Sequence, residues 1–130
     1  MIVVTGASGH VGSALVRALL DRGEKVRAVV RSDVRSVEGL DVDVRRLDVT
    51  SEREVDDAIA GAEVVYHAAA RLTLEAERDL LADEVNVRGT RNVVDACRRH
   101  GVRRLIHFST AHALGRAGGA LLAEGSGLPY

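Results

Sequence analysis

The chain has 130 residues, 46% of them hydrophobic and 28% charged, which is enough for one folded domain and excludes disorder. Its net charge is −1, from 18 basic and 19 acidic residues spread along the chain, so no polybasic patch points to nucleic acid or an anionic membrane. Aromatic residues make up 2%, too few for a base-stacking surface, and the single cysteine, Cys97, rules out an internal disulfide and a multi-cysteine zinc site.

Residues 1–5, MIVVT, read as a first strand. Val11, Ala14, Leu15, Ala18 and Leu19 then recur at helical spacing and predict a helix that stops at Arg22-Gly23. A second strand is expected over residues 25–31 and a weaker third over 42–47. Ser51-x-x-Glu54 reads as a capping box opening a short helix with Val55, Ala58 and Ile59 inward. Residues 62–67 make a fourth strand. A long helix over residues 83–100 carries Val85, Gly89, Val93 and Ala96 on one side, with Cys97 as a buried small hydrophobe, and residues 104–109 make a fifth strand. Beyond Gly115 the sequence turns glycine-rich and loses its period, so the division expected is a domain over residues 1–115 and a tail over 116–130. Strands alternating with crossover helices imply an α/β fold, an open, doubly wound parallel sheet of about five strands in the order 3-2-1-4-5. No secretory leader and no apolar run of about 18 residues is present, so the chain is read as cytoplasmic, with no membrane partner. No metal site is expected.

Between the first strand and helix lies TGASGHVG, residues 5–12. A glycine-rich turn there gathers backbone N–H groups and the positive end of the helix dipole at one point, where a pyrophosphate can be held. Gly6 permits the tight turn, Gly9 lets the backbone approach the phosphates, and Gly12 lets the helix pack closely on the strand. Ser8, His10 and Val11 complete the loop, His10 being either a phosphate contact or an exposed position. No Gly-Lys-Ser/Thr follows, which excludes a P-loop.

These residues resemble the extended short-chain dehydrogenase/reductase family, which includes the NAD-dependent epimerase/dehydratases and dihydroflavonol-reductase-like enzymes. TGASGHVG is similar to their TGxxGxxG, LDVTS at 47–51 to their D-(L/V)-T segment, VVYHAAA at 64–70 to their (I/V)-x-H-x-A-A, and residues 86–110 to the helix and strand that lead to the catalytic serine or threonine. The resemblance covers residues 1 to about 115 with four motifs in order. It implies a Rossmann fold truncated before its last strands, Asp48 and Val49 at the adenine, Ala68 and Ala69 along the ribose path, and Thr110 at the reacting oxygen, with Ser109 as the fallback. Asp48 has the alternative reading of a carboxylate near a helix start, His67 reads as a structural histidine or a ligand contact, and Asn86 as the family's Asn ahead of Gly89-Thr90 or a surface amide. Ala111-His112 stands where the family's dehydratases carry Asp-Glu, which disfavours sugar dehydration.

The family's chemistry needs a Tyr-x-x-x-Lys pair whose lysine lowers the tyrosine pKa. Tyr66 is followed four residues on by Ala70, Tyr130 is the last residue, and the one lysine is Lys25. Glu124 and Pro129 loosely resemble the segment before the family's tyrosine, which makes Tyr130 the candidate catalytic tyrosine, at a gap from Thr110 that is short for the family and without a lysine partner in this chain.

Two readings follow. One is the NAD(P)-binding portion of an oxidoreductase or epimerase acting on a small-molecule hydroxyl or keto substrate, such as a nucleotide sugar or a dihydroflavonol-like alcohol. The other is a non-catalytic NADP-binding redox-sensor module. The second strand ends Val29-Val30-Arg31, where NAD users carry an acidic residue, so NADP is favoured over NAD, with Ser32 and Arg35 as helpers and Asp33 as the opposing charge.

In this reading the fifth strand, RLIHFS, is an open edge of high β-propensity, and self-association through it is expected. Light scattering on the purified chain should show species above the monomer; a monodisperse monomer with a cooperative melt would show that the edge is covered.

Overall fold

The computed structural model describes residues 1–72 and 79–110. In chain order the elements are β1 (Ile2–Thr5), α1 (His10–Asp21), β2 (Val26–Val30), β3 (Asp43–Arg46), α2 (Glu52–Ile59), β4 (Val64–His67), α3 (Leu80–Asp83), a π-helical turn (Glu84–Gly89), α4 (Thr90–Arg99) and β5 (Arg104–His107). The five strands form one parallel sheet in the order β3-β2-β1-β4-β5, as the alternation of the sequence predicts. The expected tail and Tyr130 lie outside the described residues.

Every residue of β1 is buried, because this central strand is covered on both faces. On one face Val3, Val29 and Val65 pack with Val55 and Ile59 of α2 and Val93 and Ala96 of α4. On the other, Ile2, Val4, Ala28 and Val30 pack with Val16 and Leu19 of α1 and with Val37 from the β2–β3 connection. Each such fully buried aliphatic side chain contributes about 1.5–3 kcal/mol by leaving water. Cys97 sits in the first cluster, and burial pushes its thiol up to about 11, so it packs as a small hydrophobe.

The inward face of α1 differs from the one its apolar spacing predicts. Gly12, Val16 and Leu19 are buried, whereas Val11, Ala14 and Ala18 are exposed. The contact of Gly12 with the preceding turn sets the rotation of the helix, and the apolar pattern yields to it.

The capping box does not form either. Ser51 is the N-cap of α2 but makes no side-chain cap, and Glu54 instead accepts the backbone N–H of Asp48 at 3.2 Å. α2 and the exposed strand β3 are held instead by Arg27. Its guanidinium bonds Asp43 at 2.7 Å and the carbonyls of Ala58 and Ala60 at 2.7 and 3.1 Å, satisfying acceptors at the C-terminal end of α2.

The long helix is interrupted by one π-helical turn where it passes Val49. Gly89 allows that passage, since a Cβ there would lie 2.7 Å from Val49 Cγ2. One turn further, buried Asn92 donates from Nδ2 to the Val49 carbonyl at 2.9 Å. Asn92→Ala would strand that carbonyl, and stability is expected to fall by about 1–3 kcal/mol. Urea denaturation reads this directly; an unchanged midpoint would show that water replaces the amide.

Candidate functional site

β1, β2, β4 and β5 end in register, Thr5 beside Val29 and His67, and His67 beside His107. Chain order reverses between β1 and β4, the point at which ligands bind in open α/β sheets. The candidate residues gather at this edge.

Gly6 has φ +70°, and a Cβ on it would lie 2.6 Å from the backbone of Ala68 and Ala69. Gly12 is closer still: its Cβ would lie 2.1 Å from the Gly6 carbonyl oxygen. The loop is closed by the Gly9 N–H donating to the Gly6 carbonyl at 2.9 Å. The first turn of α1 begins with Ser13 N–H to the Gly9 carbonyl at 2.9 Å, so the amides of His10, Val11 and Gly12 precede the helical ladder. Such donors, at the positive end of a twelve-residue helix with no acidic residue in its first turn, suit an anion.

Two clefts open here. The first, about 230 Å³, runs from Gly6 and Gly9 past Arg31 to Asp48 and Val49. The second, about 490 Å³, runs from His10, Val11 and Gly12 to Ser109 and Thr110. They share Gly9 and residues 68–71, so together they follow the sheet edge from Arg31 to Thr110. Of the described candidate residues Ser8, Ser32, Arg35 and His67 line neither; the Ser8 carbonyl accepts the Ser36 hydroxyl at 3.1 Å.

At one end, Asp48 Oδ1 accepts both the N–H and the hydroxyl of Thr50, at 2.9 and 2.8 Å. The Thr50 N–H does most to hold its carboxyl below the usual carboxylate range, the hydroxyl follows, and the charge of Arg31 adds to both. Asp48 thus closes a local turn and still lines the cleft. Arg31 forms no hydrogen bond or ion pair among the described residues, while Arg35 is held on Asp33 at 2.7 Å.

At the end of β4, His67 is buried and bridges two hydroxyls, Thr5 Oγ1 at 2.7 Å from Nδ1 and Thr90 Oγ1 at 3.0 Å from Nε2. Its ring stacks on His107, with centroids 5.2 Å apart. Burial, aided by His107, lowers its pKa to about 4, so the ring is neutral near pH 7. Asn86 pins the backbone of Arg71 with two bonds, at 2.9 and 3.0 Å, and Asp79 holds the Arg71 side chain at 2.9 Å. The cleft wall formed by residues 68–71 is thereby fixed. Val29, Leu47, Arg71, Val85 and Thr90 also line the clefts and carry no sequence signal beyond ordinary packing or charge. No cluster of three metal-binding side chains occurs among the described residues, and no helix there is long and apolar enough to cross a membrane.

A family model for the NAD dependent epimerase/dehydratase family matches residues 2–126. The chain belongs to this family. It is 48% identical over 116 residues to sterol demethylase protein B of Methylococcus capsulatus, covering 87% of this chain and 35% of that protein. It is 38% identical to the 2-alkyl-3-oxoalkanoate reductase of Stenotrophomonas maltophilia, covering 89% of this chain and again 35% of the relative. Among solved structures it is similar to UDP-glucose 4-epimerase of Thermus thermophilus in complex with NAD, with a TM-score of 0.86, 29% identity, and 98% of this chain against 44% of that one. A short-chain dehydrogenase/reductase superfamily protein of Agrobacterium tumefaciens with bound NAD gives a TM-score of 0.86 at 32% identity, covering 99% of this chain and 39% of that one. The chain therefore spans 35–44% of the length of these proteins.

The buried His67 makes stability depend on pH. The unfolded chain takes up this proton near 6.5 and the folded chain only near 4. The contribution is present in full above the unfolded value and is lost as pH falls through the window from 6.5 to 4, about 3 kcal/mol in all. Denaturant melts across that window should show this loss in the wild type and a flatter profile in His67→Asn; parallel profiles would mean that His67 is protonated in the fold.

Proposed function

We propose that the chain is the dinucleotide-binding portion of an oxidoreductase or epimerase that prefers NADP and acts at a hydroxyl- or keto-bearing carbon of a small molecule. The observation that carries the preference is Arg31, the cation at the end of β2 that lines the first cleft without a hydrogen-bonded carboxylate among the described residues. An acidic residue there would accept from a ribose 2′-hydroxyl, whereas a guanidinium offers paired donors to a 2′-phosphate.

The residues fit the cofactor in their chemistry. Gly6, Gly9 and Gly12 leave a cradle without Cβ atoms, and the amides of His10, Val11 and Gly12 would take the pyrophosphate. Asp48 and Val49 would flank the adenine, and Ala68 and Ala69 would line the ribose path. Bound there, the nicotinamide supplies hydride exchange with a carbon that carries oxygen. Thr110, lining the second cleft, would donate a hydrogen bond to that oxygen and orient it. A reductase and a sugar epimerase both occur among the relatives, and a site of this kind would serve either.

Proton exchange needs a further group. Lys25 precedes β2, and its carbonyl accepts the Ile2 N–H at 2.9 Å. It is therefore a strand's length, about 16 Å, from the C-terminal edge where the clefts lie. It cannot lower the pKa of a tyrosine there, and an unperturbed phenol titrates near 10. Residues 1–130 are accordingly expected to bind NADPH without turning it over.

Fluorescence titration should give tighter binding of NADPH than of NADH, with Arg31→Ala losing about tenfold for NADPH and little for NADH. Equal affinities, or a variant that loses nothing, would remove the NADP preference. Oxidation of bound NADPH across a panel of keto substrates should be blank. Substrate-dependent oxidation abolished by Thr110→Ala would instead make residues 1–130 a working enzyme.

A further inference from the structure

The segment that follows Arg31 carries the acidic residue which, read from the sequence, opposes a 2′-phosphate. In the fold that residue is not a free carboxylate. Asp33 Oδ1 accepts the backbone N–H and the Nε of Arg35, each at 3.0 Å, and Oδ2 accepts Nη2 at 2.7 Å. Both oxygens are taken by one planar guanidinium, the bidentate geometry in which arginine binds carboxylates best. The hydrogen bonds from Arg35 push the Asp33 carboxyl down to about 2.

The pair also has a fixed place. Immediately after Arg35, Ser36 donates to the carbonyl of Ser8 in the glycine loop at 3.1 Å, and Val37 is buried to 1% in the core beneath α1. Asp33 and Arg35 therefore stand on an anchored segment between Arg31 and the phosphate loop. The charge they present is held two and four residues beyond Arg31, which lines the first cleft.

We propose that Asp33 and Arg35 form a built-in specificity pair, in which Arg35 neutralises the carboxylate that would otherwise turn a 2′-phosphate away from Arg31. The inference rests on the cofactor preference proposed above and adds what lets Arg31 act alone. It also changes the part of Arg35, which is a shield for Asp33 and not a second phosphate ligand. The formal charges of Arg31 and Asp48, which line the cleft, and of Asp33 and Arg35 on the segment after Arg31 cancel. Without Arg35 a net negative charge faces a phosphate that carries between one and two negative charges of its own near pH 7. A freed Asp33 would at the same time be able to accept from the 2′-hydroxyl of the other dinucleotide.

The pair is open to solvent, with side-chain exposures of 86% for Arg35 and 45% for Asp33, and exposed pairs contribute little to folding. Its substitution should leave the thermal melt unchanged, which separates recognition from stability. The test is the dissociation constants of NADPH and NADH for the whole chain as wild type, Arg35→Gln, Asp33→Asn with Arg35→Gln, and Arg31→Ala. Arg35→Gln should weaken NADPH about tenfold at low salt and leave NADH unchanged or tighter, the effect shrinking above about 0.1 M salt. The double variant should recover wild-type NADPH affinity.

An unchanged NADPH constant in Arg35→Gln overturns the inference. So does a double variant as weak as the single one, which would make Arg35 a phosphate ligand in its own right. If Arg31→Ala weakens NADPH while Arg35→Gln does not, the shielding pair alone is lost. If Arg31→Ala leaves NADPH unchanged, the preference for NADP falls and the pair with it.

Discussion

The contact between Gly6 and the peptide joining Ala68 to Ala69 is the constraint on which the working edge of this molecule depends. A methyl group on Gly6 would meet that backbone at 2.6 Å, and one on Gly12 would meet Gly6 at 2.1 Å. The turn after β1, the start of α1 and the segment after β4 are thus packed backbone on backbone. From this follow the rotation of α1, which buries Gly12 and exposes Val11, and the direction in which its first amides point. The two clefts share Gly9 and residues 68–71 for the same reason: the ridge between them is built from these chains pressed together.

An edge made of glycines and alanines has few side chains to hold it, and polar groups, among them buried His67 and Asn92, take over that work. His67 joins Thr5 on β1 to Thr90 at the start of α4, Asn92 carries the Val49 carbonyl, and Asn86 clamps the backbone of Arg71. No buried side-chain nitrogen or oxygen among the described residues lacks a partner. Such bonds are directional and strengthen one another in a poorly screened setting, so they fix distances that aliphatic packing alone would leave loose. The π-helical turn belongs to the same arrangement, since it lies where Gly89 passes Val49 and Asn86 reaches Arg71.

Charge is distributed with a similar division of labour. Arg27, Arg71, Arg99 and Arg103 are each committed to a carboxylate, and most of these pairs lie on the outer surface, where water and salt leave them little net effect. Arg27 is the half-buried exception and joins β2, β3 and α2. At the first cleft the pattern changes: Arg31 is uncommitted among the described residues, Asp48 has one oxygen engaged by Thr50, and Asp33 is closed off by Arg35.

The sequence by itself determined the architecture and the position of the site. Valine-rich runs alternating with helical patterns require a doubly covered parallel sheet, and three glycines between the first strand and helix require a close turn, because both are matters of local sterics and periodicity. The tertiary structure alone decided which neighbours meet. Ser51-x-x-Glu54 spells a capping box, yet Glu54 turns to the Asp48 amide because residues 47–49 are packed against it. Val11 and Ala14 fit an inward stripe, yet Gly12 faces in, because backbone contact outweighs a few methyl groups. His67 reads from sequence as either structural or ligand-facing, and only the placing of Thr5 and Thr90 on either side makes it a buried, neutral bridge. Asp33 reads as an opposing charge until the fold brings the backbone N–H and guanidinium of Arg35 onto both its oxygens. In each case the deciding partner is set by how the chain turns or by residues distant in sequence, and propensity and spacing carry no information about such meetings.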